Sequence, residues 1–248
     1  MAKPVEIGAR SFRTQKAALD HFKELLHRYD DGQAITNLSD HADLVALIER
    51  YDPILEEVGE PEKGCGQIRL FERRLNTGTG WSSSGFWLIR EDGSETDFSY
   101  IAAVKGQPGD RSKDFYGACR EAVALDILLA KKRAFDEYSD SEGKVECELT
   151  GVMVSSDESH LDHAWPYFSH LVSGFRAARG WSKDIPDGVI SPPADGQMTP
   201  VFIDDAVSNA FRDYHHSQAI LRILSKTANL KTASQARRPT IRRPVKII

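Results

Sequence analysis

The chain has 248 residues, 28% charged and 40% hydrophobic, with a net charge of −5; that length fits one large domain or two ordinary ones, each able to bury its own core. No window reaches the roughly eighteen apolar residues of a membrane helix, and the start Met1-Ala2-Lys3-Pro4-Val5-Glu6 lacks the apolar stretch of a secretory signal, so a cytoplasmic protein is expected. The three cysteines, Cys65, Cys119 and Cys147, are odd in number and form no C-x-x-C pair. This argues against a disulfide framework or a zinc knuckle and for packed thiols.

In chain order, residues 14–29 predict an amphipathic helix, with Ala18, Phe22, Leu25, Leu26 and Tyr29 recurring at spacings of three and four. A second helix follows, with Ser39 as its N-cap, Asp40 and Asp43 near its start, a stripe of Leu44, Leu47, Ile48 and Tyr51, and Pro53 as its stop. After the loop 59–66 the period changes to two. Ile68 and Leu70 alternate with polar residues, and the run Phe86 to Arg90 meets a second run, Thr96 to Tyr100, across Asp92-Gly93, a hairpin signal. The first hundred residues read as two helices on a small antiparallel sheet.

A junction at residues 107–110 precedes a long helix over 114–136. Val145, Cys147 and Leu149 then alternate as a strand, Thr150-Gly151 turns, and Val152-Met153-Val154 returns. A polar loop, 155–159, delivers His160-Leu161-Asp162-His163. Residues 167–178 predict a short helix, 180–200 a Pro- and Gly-rich loop, and a last helix runs from Asp204-Asp205 through Val207, Phe211, Tyr214 and Leu221 towards Lys226. Trp165 and Trp181 read as packing residues, and the segment after Lys231 as a disordered tail. The expected organisation is a domain over 1–106, a second over 107–230 and a basic tail over 231–248, in the α+β class.

Charge is unevenly distributed. No acidic residue follows Asp213, whereas eight basic ones do, so the net −5 leaves −13 for the remainder of the chain. Such asymmetry points to a polyanionic partner such as nucleic acid, with a solubilising tail as the bland alternative.

The order Phe12, Ala17, Phe22, Leu25-Leu26, Leu44 to Ile48, Lys63-Gly64-Cys65-Gly66-Gln67-Ile68, Phe86 to Arg90, Asp92-Gly93 and Asp97-Phe98-Ser99-Tyr100 resembles the DCL (defective chloroplasts and leaves) domain over residues 8–103. Its most specific element is the closing R-x-D-G-x-x-x-D-F-S. Tyr51-Asp52-Pro53 departs from the family's usual His-Pro. The resemblance implies a small α+β binding or positioning module, linked in plants to ribosomal RNA maturation and supplying no catalytic residues. Turn chemistry accounts for Asp92-Gly93, and capping or a local hydrogen bond for Asp97.

In the second half, His160-Leu161-Asp162-His163 after a strand, turn, strand and loop is similar to the Asp-His setting of an HNH (ββα-metal) nuclease, and Cys147-Glu148-Leu149-Thr150-Gly151 stands where such modules often begin. Phosphodiester hydrolysis needs a base to activate water and a divalent cation to offset charge on the phosphate. The resemblance implies His163 as general base and Asp162 as ligand of Mg²⁺ (or Mn²⁺). A later helix must return a further ligand, and residues 214–222 followed by Asn229 offer one. His215 and His216 point about 100° apart on a helix; His216, sharing a face with Asn209, Asp213 and Ile220, is favoured as ligand, with Asn229 as second ligand or loop brace. The segment between His163 and His216 is longer than in compact HNH motifs, which implies an inserted helix and loop. Against this stands a structural reading in which His163 caps the next helix and the 215–216 pair is solvated.

The functional expectation is therefore a metal-dependent endonuclease of DNA in preference to RNA, serving restriction or defence, with a homodimer supplying two sites on a palindromic duplex. The alternative is a non-catalytic nucleic-acid-binding or RNA-processing factor. A protein-interaction adaptor is a third reading, and it leaves the acid-free tail unexplained. No Rossmann, Walker or other Gly-rich phosphate loop occurs, so no nucleotide cofactor is expected.

Overall fold

The structure, a computed structural model, describes residues 4–64, 67–107, 110–192, 199–231 and 241–247. Two compact units divide the chain, residues 1–114 with 192–200, and 115–191 with 201–248. Helices and small antiparallel sheets make up both, an α+β protein. Among the described residues no helix is long and apolar enough to cross a membrane.

The first unit opens with a hairpin absent from the sequence reading, β1 (Val5–Ile7) and β2 (Arg10–Phe12). Thr14 caps α1 (Gln15–His27) by accepting from the Ala17 amide, and Ala18, Phe22, Leu25 and Leu26 are its buried face. In α2 (Leu38–Glu57) the cap is Asn37, which accepts from the amides of Ser39 and Asp40. Asp40 and Asp43 do more than complement the helix dipole: buried, they hold Arg28 and the Tyr29 hydroxyl, and Arg10 and His21, respectively. Pro53 does not stop α2. It sits inside the helix, since the hydrogen bond lost at one turn is offset by burying Leu55 in the core beyond it.

Strands β3 (Ile68–Gly78), β4 (Trp81–Arg90) and β5 (Glu95–Phe98) pair antiparallel in that order, and Phe71, Phe86, Leu88 and Phe98 pack with the helix stripes as one core. Ser99 caps a short α3 (Tyr100–Lys105), also unforeseen. The R-x-D-G-x-x-x-D-F-S run proves architectural. Arg90, buried, donates to the Lys63 carbonyl and the Ser94 hydroxyl, Asp92 accepts from the Ser94 amide and hydroxyl, and Gly93 takes the positive φ of +83° that the turn needs. Asp52 accepts from the amides of Lys63 and Gly64. Cys65 lies outside the described residues.

In the second unit α4 (Arg111–Tyr138) packs Phe115, Cys119 and Val123 against α5 (Phe168–Ala178) and α6 (Asp205–Gln218), with Phe168, Val172, Phe175 and Phe211 completing that core. Strands β6 (Val145–Glu146) and β7 (Met153–Val154) form a minimal hairpin. A loop over residues 155–158 does precede His160 to His163, and the four lie on a strand, β8 (Ser159–Trp165), that the sequence reading did not assign. The expected last helix likewise ends at Gln218, and Ile220 onward is strand β9 (Ile220–Ser225), followed by α7 (Lys226–Lys231). The run Leu221-Arg222-Ile223-Leu224 is buried on both faces, so its helical spacing from Phe211 does not decide its conformation. Pairing of β8 with β9 sets Asp162 opposite Arg222 and His163 opposite Leu221.

The end of the chain is tied down, contrary to a disordered tail throughout. Val245 is buried and pairs with Leu221, while Arg242 and Arg243 engage Glu146 and Glu148. Arg237 and Arg238 lie outside the described residues.

Candidate functional site

The two-residue period of β8 sorts its polar side chains onto opposite faces. His160 and Asp162 share one face and His163 takes the other. Asn229, on α7 just beyond β9, reaches back so that its side-chain nitrogen lies 2.9 Å from His160 Nδ1. Asp162 is half-buried, and its Oδ2 accepts from Arg222 at 3.0 Å. Burial raises the Asp162 pKa against the opposing pull of Arg222.

A lysine from α4 completes this face. Lys131 donates to the carbonyls of Ser156 and Ser159, at 2.7 and 2.8 Å, which holds its ammonium beside the residue preceding His160. An ammonium carries three donors, so one remains for another acceptor. Burial first, then Lys131 and Lys226, keep His160 below the ordinary imidazole value, with Asp162 opposing. His160 is thus neutral near pH 7 and able to accept a proton.

His163 has a different setting. Its Nε2 lies 2.8 Å from Nε2 of the fully buried His215, and both rings pack on Phe168. Burial and His215 bring His163 down to about 3, and burial followed by His216 brings His215 down to about 4. Among the described residues His215 Nδ1 has no hydrogen-bond partner. His216 Nε2 stands 3.3 Å from Asp126 Oδ2, outside hydrogen-bond geometry, while Asp126 is held by Arg212.

Of the residues chosen from sequence, the fold brings Asp162 and Asn229 to one face, sets His163 against His215 behind it, and leaves His216 with Asp126. His216 therefore does not join Asp162, because the helix register that turns His215 inward turns His216 towards α4. His160 takes the place beside Asn229 that the sequence reading had assigned to none of the histidines; the signal for it was strand parity, hidden by treating the tetrapeptide as a loop end. Among the described residues no group of three or more His, Cys, Asp or Glu side chains has the geometry of a metal cluster.

Cys119 is buried and its thiol is pushed up by burial. Burial also opposes ionisation of Cys147, yet hydrogen bonds from the Thr150 hydroxyl and the amides of Ser225, Thr150 and Leu149 bring it down to about 7. Trp181 packs edge-on against Phe115 and Phe175, with Arg176 bonded to its carbonyl, as expected of a packing residue. Trp165 stacks edge-on against Tyr167 and His170.

In the first unit, the Arg90–Lys63–Ser94 network and the strand order β3-β4-β5 coincide with a match to known sequences. Residues 23–104 match DUF3223, a family described as a protein of unknown function. The chain is also similar to Protein EMBRYO DEFECTIVE 514 of Arabidopsis thaliana, 35% identical over 102 residues, which are 41% of this chain and 46% of that protein. It thus spans under half the length of that relative. A solution NMR structure of an uncharacterized protein from Rhodospirillum rubrum is 32% identical, covering 42% of this chain and 89% of that one, with a TM-score of 0.34. The DUF3223 match ends ahead of α4 and does not include the β8–β9–α7 site.

Proposed function

We propose that this protein is a metal-dependent endonuclease that hydrolyses phosphodiester bonds in DNA, with its working groups on β8, β9 and α7. One observation carries the reading: a two-stranded ribbon followed directly by a helix sets Asn229 against His160 on the face that bears Asp162. That is the order strand, strand, helix of a ββα-metal unit, with α5 and α6 inserted between the strands.

The donors on this face fit a hard divalent cation. Asp162 commits Oδ2 to Arg222 and would offer its other oxygen to the cation; Mg²⁺ needs only one or two carboxylates because it keeps several waters, and Mn²⁺ accepts the same set. A cation held there supplies charge neutralisation at the phosphate and a more acidic water. Donating to Nδ1, the Asn229 amide holds the neutral His160 ring with its proton on Nε2, so His160 would serve as base at Nε2 in the other tautomer, with the Asn229 amide turned to accept from Nδ1–H. Lys131 and Lys226 set positive charge where the phosphate gains negative charge. Arg222 braces Asp162 from behind. His163 replaces His160 as proton acceptor only if it parts from His215.

A second reading, a non-catalytic nucleic-acid-binding or RNA-processing factor, is favoured by the cationic balance of the same face, where Arg222, Lys131 and Lys226 surround a single carboxylate. It also agrees with the DCL resemblance of the first unit.

Supercoiled plasmid incubated with the purified chain in Mg²⁺ or Mn²⁺, beside EDTA, separates the two. Nicking or linearisation that needs the metal and is lost in Asp162→Asn and His160→Ala is the expected result. Loss in His163→Ala with cutting retained in His160→Ala would reassign the base. Intact plasmid and intact RNA, with salt-sensitive binding, would leave the binding-factor reading standing.

A further inference from the structure

The first unit carries a surface recess of about 500 Å³ between α1, the strands β3 and β4, and the start of α3, which is within the usual size of a small-ligand site. Its walls differ in chemistry. From α1 come Lys23 and His27, one turn apart and both exposed. The Lys23 ammonium has no hydrogen bond or ion pair among the described residues, and His27 spends only Nδ1, on the Lys23 carbonyl at 2.6 Å, so Nε2 stays open. The lining also includes the half-buried ring of Tyr100, at the start of α3, which Phe86 meets edge-on. Ser83 lines the floor with an uncommitted hydroxyl, and Asp97 adds a carboxylate on the sheet side.

We propose that this recess binds one nucleotide unit of a single-stranded nucleic acid. The phosphate sits against Lys23, away from Asp97, with His27 beside it as a second donor through Nε2 when its ring is protonated, and the base lies on Tyr100. An inorganic anion would use the cationic wall alone, and an apolar ligand the Tyr100 ring alone; a nucleotide uses both, because stacking on an aromatic ring and a backbone-tracking cation are the two parts of single-strand recognition. A Cβ at Gly85 would stand 3.0 Å from the Asn76 amide nitrogen, so a larger residue there would have to shift one of the lining side chains. The inference goes beyond the cleavage reading and does not need it.

The test measures binding of fluorescein-labelled 12-mer single strands, RNA and DNA, to the full chain in EDTA, where metal-dependent cutting is off. Lys23→Glu with His27→Ala, both exposed positions, is expected to weaken binding about tenfold and to lower the slope of log affinity against log salt by about one. Nucleoside monophosphates are expected to compete better than inorganic phosphate. Binding unchanged in the double variant, competition by phosphate equal to that by nucleotides, or preference for duplex would overturn the proposal. An Asp162→Asn variant that abolishes cutting and leaves this binding intact shows that the recess stands whatever becomes of the cleavage site; loss of the strand in Asp162→Asn with retention in the Lys23→Glu variant would place binding in the second unit and sink the inference.

Discussion

His215 shows how a single buried side chain sets a limit on stability. Burial, and after it the neighbouring His216, lowers its pKa to about 4, so the folded chain refuses a proton that the unfolded chain accepts from about pH 6.5 downward. At higher pH both states are neutral and nothing is lost; as the pH falls from about 6.5 towards 4 the unfolded state gains protons and the second unit loses stability. His215→Phe removes the penalty and keeps the ring packing on Phe168 and Phe211, so its acid unfolding midpoint, followed by circular dichroism, is expected at lower pH than wild type. An unchanged midpoint would show that other groups govern acid sensitivity. Arg90 is the corresponding residue in the first unit. Its guanidinium is buried on the Lys63 carbonyl and the Ser94 hydroxyl, and Arg90→Met is expected to cost about 2–4 kcal/mol in urea denaturation because those partners lose their donor.

Elements were legible where the period was long and one-sided. The stripe Ala18, Phe22, Leu25 defined α1, and the Asp92-Gly93 turn located the β4–β5 hairpin. Errors arose where tertiary burial overrode a local rule. Pro53 was expected to end α2, yet the helix runs on to Glu57 because Leu55 belongs to the core. Since Pro53 is itself exposed, Pro53→Ala is expected to restore a backbone donor without disturbing packing and to stabilise the first unit by about 1–3 kcal/mol, read as a raised denaturation midpoint. A fall would mean that the proline is required for the local bend. Strand β9 failed for another reason: four consecutive buried residues, Leu221 to Leu224, carry no alternating signature, and only pairing with β8 assigns them. The same failure hid half of the candidate site. Without the β8 strand, parity does not group His160 with Asp162, and without β9 and α7 Asn229 has no direction.

For the molecule as a whole, the basic residues after Asp213 point by their charge to a polyanionic partner. Two of them, Arg242 and Arg243, close on Glu146 and Glu148, and Val245 adds to the β9 edge. Arg242→Ala with Arg243→Ala is therefore expected to lower the melting temperature of the full chain while leaving the salt dependence of nucleic-acid binding unchanged; a reduced salt slope would return these arginines to the phosphate. Truncation after residue 240 removes the buried Val245 as well and is expected to cost about 2 kcal/mol more than the double substitution.

By itself the sequence determined the α+β class, the helix and sheet pattern of the first unit, and the residue types available to the candidate site, because these follow from local periodicity, turn residues and composition. Tertiary structure decided which of those residues meet. Face assignment on β8, the burial of His215 against His163, the capture of Arg242 and Arg243 by two glutamates and the reach of Asn229 to His160 all depend on contacts between segments from 52 to 97 positions apart in the chain. Pairing at such separations leaves no periodic trace along the chain, so only the folded arrangement reveals it.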